Sequence, residues 1–195
     1  MVSIQTLRSE ARLRLSDTRY DHTLGCARLA AELAGIYGCD PLNAECAGLL
    51  HDITRELPDE AHLYICKKSG ILINNDFETS RIFLHAITAA VVAEDEFGMP
   101  PEVLSAIRRH TVGASDMSMM DKIVYVADAV EETRKYADAA RLCALARVDL
   151  DAALLEVAEF IIIDNIRKGH YIHPHTLAAR NNVWELLCKK NVATL

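Results

Sequence analysis

Four histidines and two aspartates are embedded in apolar sequence near the ends of predicted helices: His22, the adjacent pair His51-Asp52, His85, His110 and Asp128. Imidazole nitrogen combined with carboxylate oxygen is a ligand set for divalent iron, manganese, zinc and related ions. The segment Gly48-Leu-Leu-His-Asp-Ile53 puts two strong ligands at the end of an apolar run. An unpaired carboxylate in such a dry place costs several kcal/mol, and a bound cation removes that cost. Phe83-Leu-His85 and Ile123-Val-Tyr-Val-Ala-Asp128 repeat the pattern. The His-Asp dipeptide alone says little, because 8 His and 14 Asp in 195 residues yield about 0.6 such pairs by chance. Each histidine taken singly is equally a core histidine bonded to a backbone carbonyl. Six such residues together point to a metal centre.

The elements that must position them read as helices. Apolar residues recur three and four apart nearly everywhere, and β-branched runs bounded by turns are scarce, so the fold class is all-α. Helices are expected over Ile4 to Leu15, Arg19 to Tyr37, Pro41 to Ile53, Asp59 to Ser69 and Ser80 to Phe97. Four more are expected over Pro101 to Arg109, Ser118 to Lys135, Leu150 to Lys168 and His175 to Lys190. Gly38 with Pro41, Gly98-Met-Pro-Pro101 and Gly169 to Pro174 punctuate them, and Pro41 and Pro101 suit first-turn positions. Gly70 to Thr79 is the least regular stretch and a candidate lid or edge loop. No repeat, low-complexity segment or linker divides residues 1–195, so one helical domain is the simplest account.

Composition narrows the function. Half the residues are hydrophobic, enough for a real core, and 21 basic against 28 acidic side chains leave a net charge of -7. That is the opposite of the basic footprint of a protein that binds long nucleic acids. Apolar stretches such as Ala86 to Ala93 fall far short of the ~18 residues that span a bilayer. Arg8, Glu10, Arg12 and Arg14 stand where a signal peptide would be apolar, so no membrane partner and a cytoplasmic location are expected. Six cysteines without a C-x-x-C pair read as reduced, mostly buried small hydrophobes. G-x-G-x-x-G, G-x-x-x-x-G-K, G-x-S-x-G and H-E-x-x-H are all missing, which removes nucleotide-binding folds built on those loops, serine hydrolases and zincins.

The order His22, His51-Asp52, His85, His110, Asp128 resembles the HD-domain metal-dependent phosphohydrolases, a single helical bundle, in their binuclear variant. Three segments are similar to the YqeK family within that superfamily: His51-Asp-Ile-Thr-Arg-Glu-Leu-Pro58, Ala106-Ile-Arg-Arg-His-Thr-Val-Gly113 and Met117 to Asp128. The likeness runs from about Tyr20 to Asn181 and includes Ile172-His-Pro-His-Thr-Leu-Ala-Ala-Arg-Asn181. It implies a motif core over about 20–135, C-terminal helices over about 150–190, and symmetrical hydrolysis of diadenosine tetraphosphate to two ADP. The chain departs from the family pattern at Ala86-Ile87, in place of Gly-Pro, and at Glu132, in place of Pro. These positions bear on pocket shape and substrate preference.

By the same resemblance His22, His51, Asp52 and Asp128 hold one divalent ion, and His85 and His110 hold a second, with Asp52 bridging. Iron is the implied metal, with manganese or another divalent ion as alternatives. Two ions activate a water and stabilise charge on phosphoryl oxygens, so Asp52 acts in catalysis and no protein nucleophile is required. The dinucleoside polyphosphate partner carries about four negative charges, and an acidic protein must place cations near the metals to hold it. Arg19, Arg55, Arg109, Lys122 and Arg134 stand close to the ligands in sequence and are the expected substrate contacts, with Arg55 and Lys122 also assigned to catalysis. His173 matches the family's Ile-His-Pro and is a further substrate contact, whereas the cluster His170, His173, His175 reads as a turn before an N-capped helix. Asp121 fits a capping box with Ser118 better than a role behind the metal ligands. The resemblance permits a homodimer. The alternatives are a phosphohydrolase of another nucleotide, such as a deoxynucleotide or cyclic dinucleotide, and a module that senses a nucleotide without turnover.

Overall fold

The computed structural model describes residues 2–72 and 83–193, the last three by backbone alone. Ten helices are present among the described residues: α1 (Ile4–Arg14), α2 (Asp17–Tyr37), α3 (Pro41–Leu50), α4 (Asp59–Lys68), α5 (Leu84–Asp95), α6 (Pro101–Arg109), α7 (Met119–Val130), α8 (Ala139–Ala146), α9 (Leu150–Lys168) and α10 (Pro174–Ala193). No strand occurs among them, as the 3.6-residue periodicity requires. Residues 73–79 of the candidate lid, and the start of the helix expected from Ser80, lie outside the described residues.

Helix α3 is the pivot. Asp40 caps its first turn by accepting from the Leu42 and Asn43 amides, Pro41 occupies the position that needs no N–H, and Ala44 with Cys46 to Leu50 is buried. Leu49 and Leu50 are completely enclosed, each worth about 1.5–3 kcal/mol of apolar burial. Gly48 lets α3 meet α2 backbone to backbone: a β-carbon there would stand 2.5 Å from Ala27 Cα. Only glycine fits that crossing, and the crossing sets the end of α3 against the buried face of α2, where His22 lies with Cys26, Leu29 and Leu33.

One apolar cluster runs from Leu7 on α1 to Val183 on α10, with α5, α6 and α7 closing over α3. The C-terminal hairpin of α9 and α10 joins it through contacts of α9 with α7 and α8. Two expectations about the helices need correction. The helix expected over Ser118 to Lys135 stops at Val130, because Glu131 leaves helical geometry at ψ 161° and turns its carboxylate back to the Thr133 amide. The chain then forms α8, whose eight residues bury only Ala139, Leu142 and Ala146, too brief a pattern to stand out in sequence.

Candidate metal centre

Helix ends deliver the ligands. His51 and Asp52 follow the last turn of α3, His110 follows α6, Asp128 lies in the last turn of α7, His85 opens α5 and His22 faces inward from the second turn of α2. Three helix C-termini, those of α3, α6 and α7, therefore carry ligands into one place. Each has the equivalent of roughly half a negative charge, which favours a cation there. His22, His51, Asp52, His85 and His110 are all buried.

Three of the four histidines have their tautomer set by an acceptor. His51 Nδ1 donates to Gly48 O at 2.7 Å, His110 Nδ1 to Ile107 O at 2.8 Å, and His22 Nδ1 to Glu131 Oε1 at 2.9 Å. Carbonyl and carboxylate oxygens only accept, so each Nδ1 carries a proton and Nε2 is the atom turned inward. The inward atoms converge: His22 Nε2 lies 3.3 Å from His51 Nε2 and 3.0 Å from Asp128 Oδ1. Burial and the neighbouring His51 push His110 down to about 4, so it stays neutral.

Asp52 is the centre of the arrangement and faces two ways. Oδ2 lies 3.4 Å from His51 Nε2 and 3.8 Å from His22 Nε2, while Oδ1 lies 3.4 Å from His85 Nε2 and 3.8 Å from His110 Nε2. Burial would raise its carboxyl, but the neighbouring His51 holds it well below the usual range. Asp128 is likewise held low against burial by Arg134 and His22. Ligand atoms about 2.1 Å from one ion lie about 3.0 Å apart at a right angle and about 3.4 Å apart at the tetrahedral angle. The 3.0 Å spacing at Asp128 and the 3.4 Å spacings of Asp52 to His51 and His85 match, those of Asp52 to His22 and His110 being longer at 3.8 Å, and the sets His22, His51, Asp128 and His51, Asp52, His110 each have ligand atoms within 4.8 Å of one another. The donor set fits divalent ions.

His85 enters differently. Its Nδ1 lies 2.7 Å from Arg55 Nη1, and a guanidinium only donates, so the ring proton sits on Nε2, which reaches His110 Nε2 at 3.1 Å. The half around His85 is thus less prepared for an ion than the half around His22.

Of the expected substrate contacts, three arginines border the cluster. Arg19 lies 2.9 Å from Asp52 Oδ2, Arg134 lies 2.6 Å from Asp128 Oδ1, and Arg55 touches His85. Lys122 does not join them: its ammonium is paired with Asp151 Oδ1 of α9 at 2.7 Å, and Lys190 of α10 holds the other oxygen at 2.8 Å. Six residues from Asp128 is more than a turn and a half, which sends Lys122 to another face of α7. The structure therefore places the Lys122 ammonium with Asp151 and not with the other expected substrate contacts. Arg109 borders a neighbouring cleft, but its guanidinium is committed to Asp121 at 2.8 Å and Asp116 at 3.2 Å. Asp121 forms the capping box with Ser118.

That cleft, about 290 Å³, adjoins His85 and His110. Phe83, Ala86, Ile87, Val112 and His173 line it, and the hydroxyl of Thr111, also in its wall, lies 3.0 Å from His110 Nε2. His173 is buried, with Nδ1 accepting from the His175 amide at 3.1 Å at the start of α10 and its ring edge-on to Phe83. Sequence reading passed over Thr111 and Glu131. The sole hint for Glu131 was an acid three residues beyond Asp128 at the end of one apolar run, and Thr111 had no signal besides adjacency to His110.

Comparison with known proteins agrees with this geometry. Residues 19–133 match the HD domain family. The symmetrical bis(5'-nucleosyl)-tetraphosphatase of Halalkalibacterium halodurans is 33% identical over 174 residues, covering 87% of this chain and 90% of that protein. Its counterpart in Bacillus subtilis is 31% identical, covering 86% and 90%. The crystal structure of a predicted HD superfamily hydrolase involved in NAD metabolism from Clostridium acetobutylicum superposes with a TM-score of 0.90 at 34% identity, over 95% of this chain and 98% of that one. The chain belongs to the HD domain family, and within it to the family of the symmetrical bis(5'-nucleosyl)-tetraphosphatases.

Proposed function

We propose that the protein is a metal-dependent phosphohydrolase that cuts diadenosine tetraphosphate into two ADP at a two-ion centre. The observation that carries this reading is the two-sided Asp52, with Oδ2 turned to His22 and His51 and Oδ1 turned to His85 and His110. The relatives bearing the tetraphosphatase name match nearly the whole chain. In this reading His22, His51, Asp128 and Asp52 Oδ2 hold one ion, and Asp52 Oδ1, His85 and His110 hold the other, iron being the assignment. Two such ions supply an activated water and neutralise charge on phosphoryl oxygens.

The chain's own residues do the rest. Arg19, Arg55 and Arg134 stand on three sides of the cluster and orient the phosphates, bidentate donors being suited to planar pairs of phosphoryl oxygens. The apolar cleft beside His85 and His110 seats one nucleoside against Phe83, Ile87 and His173. Its volume lies near the lower end of small-molecule sites. Ala86 and Ile87, the positions at which the chain departs from the family pattern, stand in its wall and tune which nucleoside fits. Enclosure of the histidines keeps bulk water away and strengthens every charge interaction inside. Six unpaired cysteines, three of them buried, support a reducing compartment such as the cytoplasm. No described helix is long and apolar enough to cross a membrane.

The test is anaerobic incubation of the iron- or manganese-loaded protein with diadenosine tetraphosphate and chromatography of the products. ADP alone, abolished by chelator, is the expected result. ATP plus AMP would overturn the symmetrical cut, and no product would overturn the substrate.

A further inference from the structure

We propose that Glu131, seated in a slot that exists because residue 25 is glycine, is a positioning residue: it holds His22 with Nε2 toward the ion and sets the ion affinity of that half of the centre alone. The proposal rests on the two-ion reading above. Glu131 ends α7, its side chain has no solvent exposure, and its oxygens accept from His22 Nδ1 at 2.9 Å, the Thr133 amide at 2.8 Å and the Thr133 hydroxyl at 2.6 Å. A buried carboxylate is retained only where donors surround it, and here they do.

The partner of His22 differs in kind from those of its neighbours. His51 and His110 each lean on a neutral carbonyl three residues back in their own helix, an arrangement that any helix end can offer. His22 on α2 instead leans on a carboxylate 109 residues away, at the end of the helix that carries Asp128. A carboxylate behind a ligating imidazole fixes the tautomer and makes the inward nitrogen more basic.

Gly25 makes the room. It lies one turn after His22 on the same face of α2, and a β-carbon there would stand 2.2 Å from Glu131 Oε2 and 3.1 Å from its Cδ. An alanine would have to push the carboxylate off His22. Position 25 and position 131 are therefore coupled through one volume, and the coupling reaches the His22 ring.

The test uses the full chain stripped of metal and titrated calorimetrically with Mn²⁺, comparing wild type with Glu131→Gln, Glu131→Ala, Gly25→Ala and the double Gly25→Ala/Glu131→Ala. One of the two ion affinities is expected to fall roughly 10–100-fold in each single variant, most in Glu131→Ala, with the other unchanged within about threefold. Gly25→Ala is expected to cost nothing further once Glu131 is alanine, since the clash is gone. Equal loss at both ions, or lowered melting temperature with both affinities intact, would assign Glu131 a structural role and overturn the proposal. Nitrogen NMR of His22 in the metal-free protein decides independently of any ion: the proton on Nδ1 should give way to a tautomer mixture in Glu131→Ala, and its retention would overturn the proposal. A wild type that binds no Mn²⁺ would count against the two-ion centre instead.

Discussion

Replacing Lys122 with methionine separates the two roles available to that lysine. The substitution keeps the apolar stem and removes the ammonium. In the structure the ammonium lies 2.7 Å from Asp151 Oδ1, with the two side chains only 11% and 16% exposed. Stranding a buried charge costs about 3–5 kcal/mol. Asp151 is not stranded, because Lys190 stays 2.8 Å from its other oxygen, though 63% exposed. The loss is therefore about 1–2 kcal/mol, which for a chain of this length lowers the melting temperature by about 2–8 °C. Burial pushes the Asp151 carboxyl up, but Lys122 and Lys190 outweigh it and hold it below its usual range. A carboxyl depressed in the folded state contributes stability that is complete at neutral pH and is lost as pH falls through the folded value. The gap in melting temperature between wild type and Lys122→Met should be full at neutral pH and narrow below about pH 4. Calorimetry reads the gap, and steady-state hydrolysis of diadenosine tetraphosphate should show kcat and KM within about threefold of wild type. A kcat reduced about a hundredfold with unchanged melting temperature would refute the structural assignment and return Lys122 to the reaction.

Asp52→Asn keeps the shape but leaves a single oxygen acceptor, so bound ions per chain should fall from two to one or none, with kcat down by about 10³-fold, roughly 4 kcal/mol. Two ions retained with full turnover would contradict the bridging geometry. Ile87→Trp should fill the cleft beside His85 and raise KM for diadenosine tetraphosphate about tenfold or more, about 1.4 kcal/mol, while ion binding stays intact. An unaltered KM would move the nucleoside elsewhere. Arg19→Gln removes a cation 2.9 Å from Asp52 Oδ2, so ion affinity should hold or rise while KM increases about tenfold. Calorimetry with Mn²⁺ beside steady-state kinetics separates the two effects, and a parallel fall in ion affinity would contradict the reasoning.

The clustering of the candidate ligands was legible where a polar residue breaks an apolar run: His51-Asp52 after Leu49-Leu50, Asp128 after Ile123 to Ala127. Helices as long as α2, α9 and α10 were legible from periodicity for the same reason, since burial on one face repeats over several turns. The cations were legible only in part. Lys122 and Arg134 each stand six residues from Asp128, yet only Arg134 reaches it, at 2.6 Å. Which way a long side chain turns depends on carboxylates far along the chain, Asp151 for Lys122, a choice that one-dimensional spacing does not contain. Glu131 was hidden similarly, because its meaning depends on Gly25 and His22 in another helix.

The acidic net charge of -7 and a polyanionic substrate are reconciled by local bookkeeping at the centre. Three carboxylates, Asp52, Asp128 and Glu131, stand against three guanidiniums, Arg19, Arg55 and Arg134, so these six side chains cancel. In the proposed two-ion reading, two divalent ions would add four positive charges, equal to the roughly four negative charges of a tetraphosphate. Arg19 rests on Asp52, Arg134 on Asp128 and Arg55 on His85. A cation held by those groups would offset their charge and leave the same guanidiniums for phosphate oxygens. Charges elsewhere on the protein that lie beyond a Debye length of about 8 Å are screened there. Substrate affinity should consequently follow the occupancy of the centre far more than the charge of the whole protein.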